Sequence, residues 1–158
     1  MHSPSLPEDG QHYRWTEEEL AGADIPDGAK SFLASTGLPR VMGSTTFEFG
    51  SFDSSGPLVI GADDGVRVYV NPTGEVWHES IDGKEGDQFM NSSVQQLAHF
   101  AGVWTSWYEG LAEASDEEVK AAALAAIERL KECDPAAFAD EERWVWPLMW
   151  EDLLYMCG

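Results

Sequence analysis

The chain has 158 residues, with 9 Lys plus Arg against 29 Asp plus Glu, a formal net charge of −20 and a sequence pI near 4.2. That length predicts one domain, and 43% hydrophobic content with seven Trp is enough for a core that needs no metal or disulfide staple. The charge disfavours nucleic acid and anionic lipid, which it repels, and fits either plain solubility or fast, oriented association with a basic protein.

Cys133 and Cys157 form no spaced set, so neither a zinc site nor a disulfide framework is signalled, and a reduced, cytoplasmic chain is expected. Residues 1–10 lack the basic start and apolar run of a secretion signal. No apolar run approaches the roughly 20 residues of a membrane span.

Residues 1–12 contain Pro4, Pro7 and Gly10 and read as loose. Thr16-Glu17-Glu18-Glu19 has the capping-box spacing, so a short helix is expected there, its acidic first turn matched to the positive end of the helix dipole. Ile25-Pro26-Asp27-Gly28 opens a second helix that carries Phe32 and Leu33 inward and stops at Gly37 before Pro39. Thr45 to Phe49 alternates and places Phe47 and Phe49 on one face of a strand. Residues 51–57 read as a loop, and Leu58-Val59-Ile60 as a strand covered on both faces.

Two turns follow. Asp64-Gly65 between apolar runs predicts a tight hairpin, since Gly takes positive φ readily. Asn71-Pro72-Thr73-Gly74 fits a type I turn closed by a glycine bulge. The second turn sets a register: Val70 opposite Val76, Tyr69 opposite Trp77, Val68 opposite His78, Arg67 opposite Glu79. Val66, Val68, Val70, Val76 and His78 then share a core face, while Arg67, Tyr69, Glu75, Trp77 and Glu79 share the other. Cross-strand aromatic and opposite-charge pairs of this kind contribute about 0.2–1 kcal/mol each.

Residues 81–87 read as an acidic, Gly-rich loop, and residues 87–90 as a short strand. A capping box from Ser92 to Gln95 then starts a long helix reaching about Gly110. Its stripe is Leu97, Phe100, Ala101, Trp104, Tyr108 and Leu111, with His99 half-buried at its side. Ser115 to Glu118 caps a further helix with Val119, Ala123, Ile127 and Leu130 as its apolar line. Asp134-Pro135 caps another helical turn, and the Trp144-Trp146-Trp150 segment, which reads as helix docking or else as a binding surface, leads into a terminal helix from Pro147 to Met156. The whole reads as a mostly antiparallel twisted sheet of about five to six strands with helices packed against it.

Asp63, Asp64, Glu75 and His78 are the tempting chemical cluster, since carboxylates and an imidazole can hold a metal that activates water. Turn chemistry accounts for the two aspartates, and the register sends Glu75 and His78 to opposite faces. Ser92 and Ser93 lack a nucleophile elbow, capping accounts for Ser92, and no phosphate loop or dinucleotide fingerprint is present, so no cofactor is expected.

Four segments, in order, resemble the fourth group of the SUKH superfamily of bacterial immunity proteins, relatives of the fungal Smi/Knr regulators. They are Phe32-Leu33 through Gly37-Leu38-Pro39-Arg40, Leu58 to Gly61 with Asp64-Gly65, Asn71 to Val76, and Phe89-Met90-Asn91-Ser92-Ser93 before an aromatic-rich helix. The ending, Asp134-Pro135 to Trp146-Pro147 and Glu151-Asp152-Leu153, is also similar, so the likeness spans about residues 25–155. The resemblance implies a single α+β domain over residues 1–158 and a non-enzymatic role: binding and neutralising a cognate secreted toxin, often a nuclease or deaminase, in the producing cell. It carries over no catalytic residues.

The expected partner is therefore a basic protein toxin, and the chain a monomer or weak dimer. The candidate partner-binding surface is the second hairpin face, Tyr69 and Trp77 with acidic neighbours Glu75, Glu79, Asp82, Glu85 and Asp87. The alternatives are a metal-dependent hydrolase using Asp63, Asp64 and His78, or a regulatory scaffold.

Overall fold

In the computed structural model, which describes residues 12–42, 45, 47–52, 57–80, 86–110 and 114–157, two turns set the main sheet. Asp64 and Gly65 have φ of 52° and 87°, so β4 (Leu58–Asp63) and β5 (Val66–Val70) are joined by a two-residue turn left-handed at both positions. At the next turn Gly74 has φ of 96°, and Asn71 Oδ1 accepts from the Thr73 and Glu75 amides at 3.1 and 2.9 Å. β6 (Val76–His78) therefore returns with Val70 opposite Val76, Tyr69 opposite Trp77 and Val68 opposite His78, the register that the turn chemistry predicts.

β3 (Phe47–Phe49) and β7 (Gln88–Asn91) complete an all-antiparallel meander in the order β3-β4-β5-β6-β7. Gly61 lets β3 approach: a Cβ there would sit 2.7 Å from both Glu48 O and the Phe49 ring. A second, two-stranded ribbon pairs β1 (His12–Tyr13) with β2 (Leu38–Pro39). His12 thus lies in a strand, not in a loose start, and residues 1–11 lie outside the described residues. Two-residue strands are too short for any alternation to show. Gly37, with φ of 72°, both ends the preceding helix and admits Tyr13 O, which a Cβ would meet at 1.9 Å.

The helices are α1 (Glu17–Ala21), α2 (Asp27–Ser35), α3 (Val94–Glu109), α4 (Asp116–Cys133) and α5 (Val145–Cys157), with a 3-10 turn at Pro135–Phe138. Both predicted capping boxes at Thr16 and Ser115 form, and Val119, Ala123, Ile127 and Leu130 are the buried line of α4, joined by Ala126. The valine face of the sheet packs into one core with α3 and α5, centred on Phe100, Trp104, Trp146 and Trp150. Among the described residues no helix is long and apolar enough to cross a membrane.

Four expectations are corrected. The N-cap of α3 is Ser93, whose Oγ accepts from Gln96 N at 3.1 Å. Ser92 instead gives its amide and hydroxyl to the Asp134 carboxylate at 2.8 and 2.7 Å. Asp134 does not cap the 3-10 turn with its side chain; at 1% exposure it also accepts from Asn91 Nδ2 at 3.1 Å, and Asn91 Oδ1 accepts from Trp146 Nε1 at 2.8 Å. This buried network ties β7 to the end of α4 and to α5, and its satisfied partners are what make a buried carboxylate tolerable.

On α3, Tyr108 is exposed and Trp107 takes the inward place, its Nε1 donating to Val119 O at 3.4 Å. α4 crosses that flank and rotates the buried stripe toward itself, while Leu111 lies outside the described residues. His99 is exposed rather than half-buried.

Candidate binding surface

The outer face of β5–β6 carries every described member of the predicted surface. Arg67 grips Glu79 in a fork, Nε to Oε1 at 2.9 Å and Nη2 to Oε2 at 2.5 Å. The bond to Glu79 holds the guanidinium pKa above its ordinary value. One strand position along, Tyr69 Oη donates to Asp87 Oδ2 at 2.5 Å, and Asp87 Oδ1 accepts from Ser80 N at 3.2 Å. Burial first, and then the bond to Asp87, raise the Tyr69 phenol above the usual tyrosine range. Glu75 Oε1 accepts from Asn71 Nδ2 at 2.9 Å and from Trp77 Nε1 at 3.2 Å.

Trp77 is half-buried, because two other aromatic rings reach it. It meets Phe89 edge-on at 5.3 Å and Trp144 at 5.8 Å, and the Arg143 guanidinium lies 5.2 Å from the Trp144 ring centre. Gln88 Nε2 donates to Arg143 O at 2.6 Å, which holds the 140–144 turn against the β7 edge. Tyr69, Glu75, Trp77, Glu79 and Asp87 are thus gathered on one face, while Asp82 and Glu85 lie outside the described residues. Arg143 and Trp144 belong to the same face, just before α5, which begins at Val145. Nothing in the local sequence tied Trp144 to Trp77, which lies 67 residues earlier in the chain.

The chemical cluster resolves differently. His78 is 2% exposed, with Nε2 2.9 Å from Asp63 Oδ2, Nδ1 2.7 Å from Glu79 O, and the ring edge-on to Phe47. Both ring nitrogens face oxygen atoms, which fix the orientation of the ring. Asp64 is exposed at its turn, and Glu75 lies on the opposite face. Among the described residues no group of three His, Cys, Asp or Glu side chains is placed to hold a metal ion. The Asp63–His78 pair instead bridges β4 and β6 across β5, a structural use of residues that sequence alone assigned to a turn and to the core.

The model of the SUKH-4 immunity protein family matches residues 9–152. No curated protein and no solved structure matches the chain.

Proposed function

We propose that this chain, which belongs to the SUKH-4 immunity protein family, neutralises a cognate secreted toxin by binding a basic domain of it inside the producing bacterium. The family assigns the chain the role of an immunity protein. The observation that carries the finer reading is the net charge of −20, which steers a cationic partner and repels phosphate. A nuclease or deaminase domain, whose groove is built for a phosphate backbone, presents that positive surface.

The outer β5–β6 face is the part of the contact surface that supplies acid beside aromatic rings. Tyr69 and Trp77 are anchors of the type common at interface centres, and Glu75, Glu79 and Asp87 surround them. Their hydrogen bonds within the chain hold them in place before the partner arrives, which reduces the entropy lost on binding. In this reading the chain acts by occlusion, as a cytoplasmic monomer or weak dimer, without a cofactor.

The test is a pull-down of the product of the adjacent gene, with the variant Trp77→Ala, Glu79→Lys compared by melting temperature and by binding. Loss of binding in a folded variant supports the face; binding equal to that of the parent chain rejects it. Failure of the parent chain to bind rejects the toxin partner itself.

A further inference from the structure

A groove of about 350 Å³ runs between α4 and α5, closed at one end by the 3-10 turn. Its walls are apolar: Leu124 and Ile127 from α4, Phe138 from the 3-10 turn, Trp150 and Leu154 from α5. Leu124 is 47% exposed, and Tyr155, next along α5, is 87% exposed. A soluble surface seldom leaves large apolar side chains so open beside an apolar groove without a use for them.

The rim is acidic. Glu128, Glu141 and Glu151 line the groove against a single cation, Lys131. Lys131 is already engaged, 3.9 Å from Glu128 and 5.8 Å from the centre of the Phe138 ring. Among the described residues Glu141 and Glu151 have no ion pair. An apolar floor between unpaired carboxylates matches a segment that carries apolar side chains along one line and Lys or Arg beside them. A second copy of the chain is a poor occupant, because a two-fold contact here would set the same three glutamates of each copy near one another.

We infer that the α4–α5 groove is the docking site for a basic amphipathic segment of the toxin, with Leu124 and Leu154 receiving its apolar side chains and Glu128, Glu141 and Glu151 its cations. This rests on the reading of the chain as a toxin-binding immunity protein. The 140–144 turn contributes Glu141 to the groove and Trp144 to the outer sheet face.

The test is calorimetric titration of the chain with the purified toxin domain encoded by the adjacent gene. Leu124→Glu charges the floor at an exposed position, and the double variant Glu128→Lys, Glu151→Lys reverses the rim. Glu18→Lys with Glu117→Lys, both exposed positions outside the groove and the sheet face, is a control of equal net charge. The inference predicts that each groove variant weakens Kd by about 30-fold or more while the control stays several-fold closer to the parent. Circular dichroism verifies that the variants are folded. Groove variants that bind like the control overturn the groove and leave the toxin-binding reading standing. A parent chain that binds no toxin overturns both. A parent chain that dimerises, and becomes monomeric on Leu124→Glu with toxin affinity unchanged, makes a second copy the occupant and also overturns the inference.

Discussion

The outer face of β5–β6 and the α4–α5 groove are both acidic and both carry aromatic or aliphatic side chains, yet they use their charge differently. On the sheet, Glu75, Glu79 and Asp87 are each bonded to a neighbour of their own chain: Asn71 and Trp77, Arg67, and Tyr69 with Ser80. In the groove, Glu141 and Glu151 have no such ion-pair partner among the described residues, and the apolar floor lies open between them. Acid that is bonded within its own chain and acid that is not are indistinguishable in a charge count. The surroundings separate them: the sheet pairs donors across strands at fixed spacing, whereas Glu128 on α4, Glu141 on the 140–144 turn and Glu151 on α5 are exposed.

The sharpest stability contrast lies in the tryptophans. Trp150 is 1% exposed and packs at 4.7 and 5.2 Å from the Trp104 and Trp107 ring centres, so Trp150→Ala is expected to cost about 3–5 kcal/mol in chemical unfolding. Trp77→Ala, at a half-buried ring, should cost roughly 2 kcal/mol. Equal losses would mean that the sheet face is as much core as the groove floor, and the contrast would fail.

Next in size is Asp134→Ala, which leaves Ser92 and Asn91 donors unsatisfied. A loss of about 1–3 kcal/mol is expected, and a neutral result would show that the network is replaceable.

The sheet face should also respond to alkali. The Tyr69 phenol has its pKa raised above 10.0, chiefly by burial and then by Asp87. The folded state therefore holds that proton more tightly than the unfolded chain. This contribution is complete below pH 10 and is lost as pH climbs above it. Tyr69→Phe should flatten the fall in melting temperature above pH 10; Tyr13, also raised, keeps part of it. An unchanged slope would remove Tyr69 from that account. The smallest effect is expected from Arg67→Ala, since an exposed ion pair adds little to stability even with fork geometry, and the urea midpoint should hardly move.

Local chemistry made the sheet legible. Asp64-Gly65 and Asn71 to Gly74 contain the residues their turns require, and the register of β5 and β6 follows from those turns alone. The Thr16 and Ser115 caps are legible for the same reason, because donor and acceptor lie three residues apart. Ser92 shows where this ends. Ser92 with Gln95 and Ser93 with Gln96 have identical spacing, and the choice between them is made by Asp134, 42 residues away from Ser92. Trp107 and Tyr108 are likewise separated only by where α4 lies. The groove was invisible for a related reason: its apolar walls come from α4, the 3-10 turn and α5, and its rim from α4, the 140–144 turn and α5.

The most direct measurement of the central claim is survival of a bacterial host that expresses the toxin domain encoded beside this chain, with and without the chain itself. The account predicts growth when the chain is present, none when it is absent, and no protection against a toxin domain from an unrelated system. Continued killing in cells that contain the folded, soluble chain at levels equal to the toxin would contradict it.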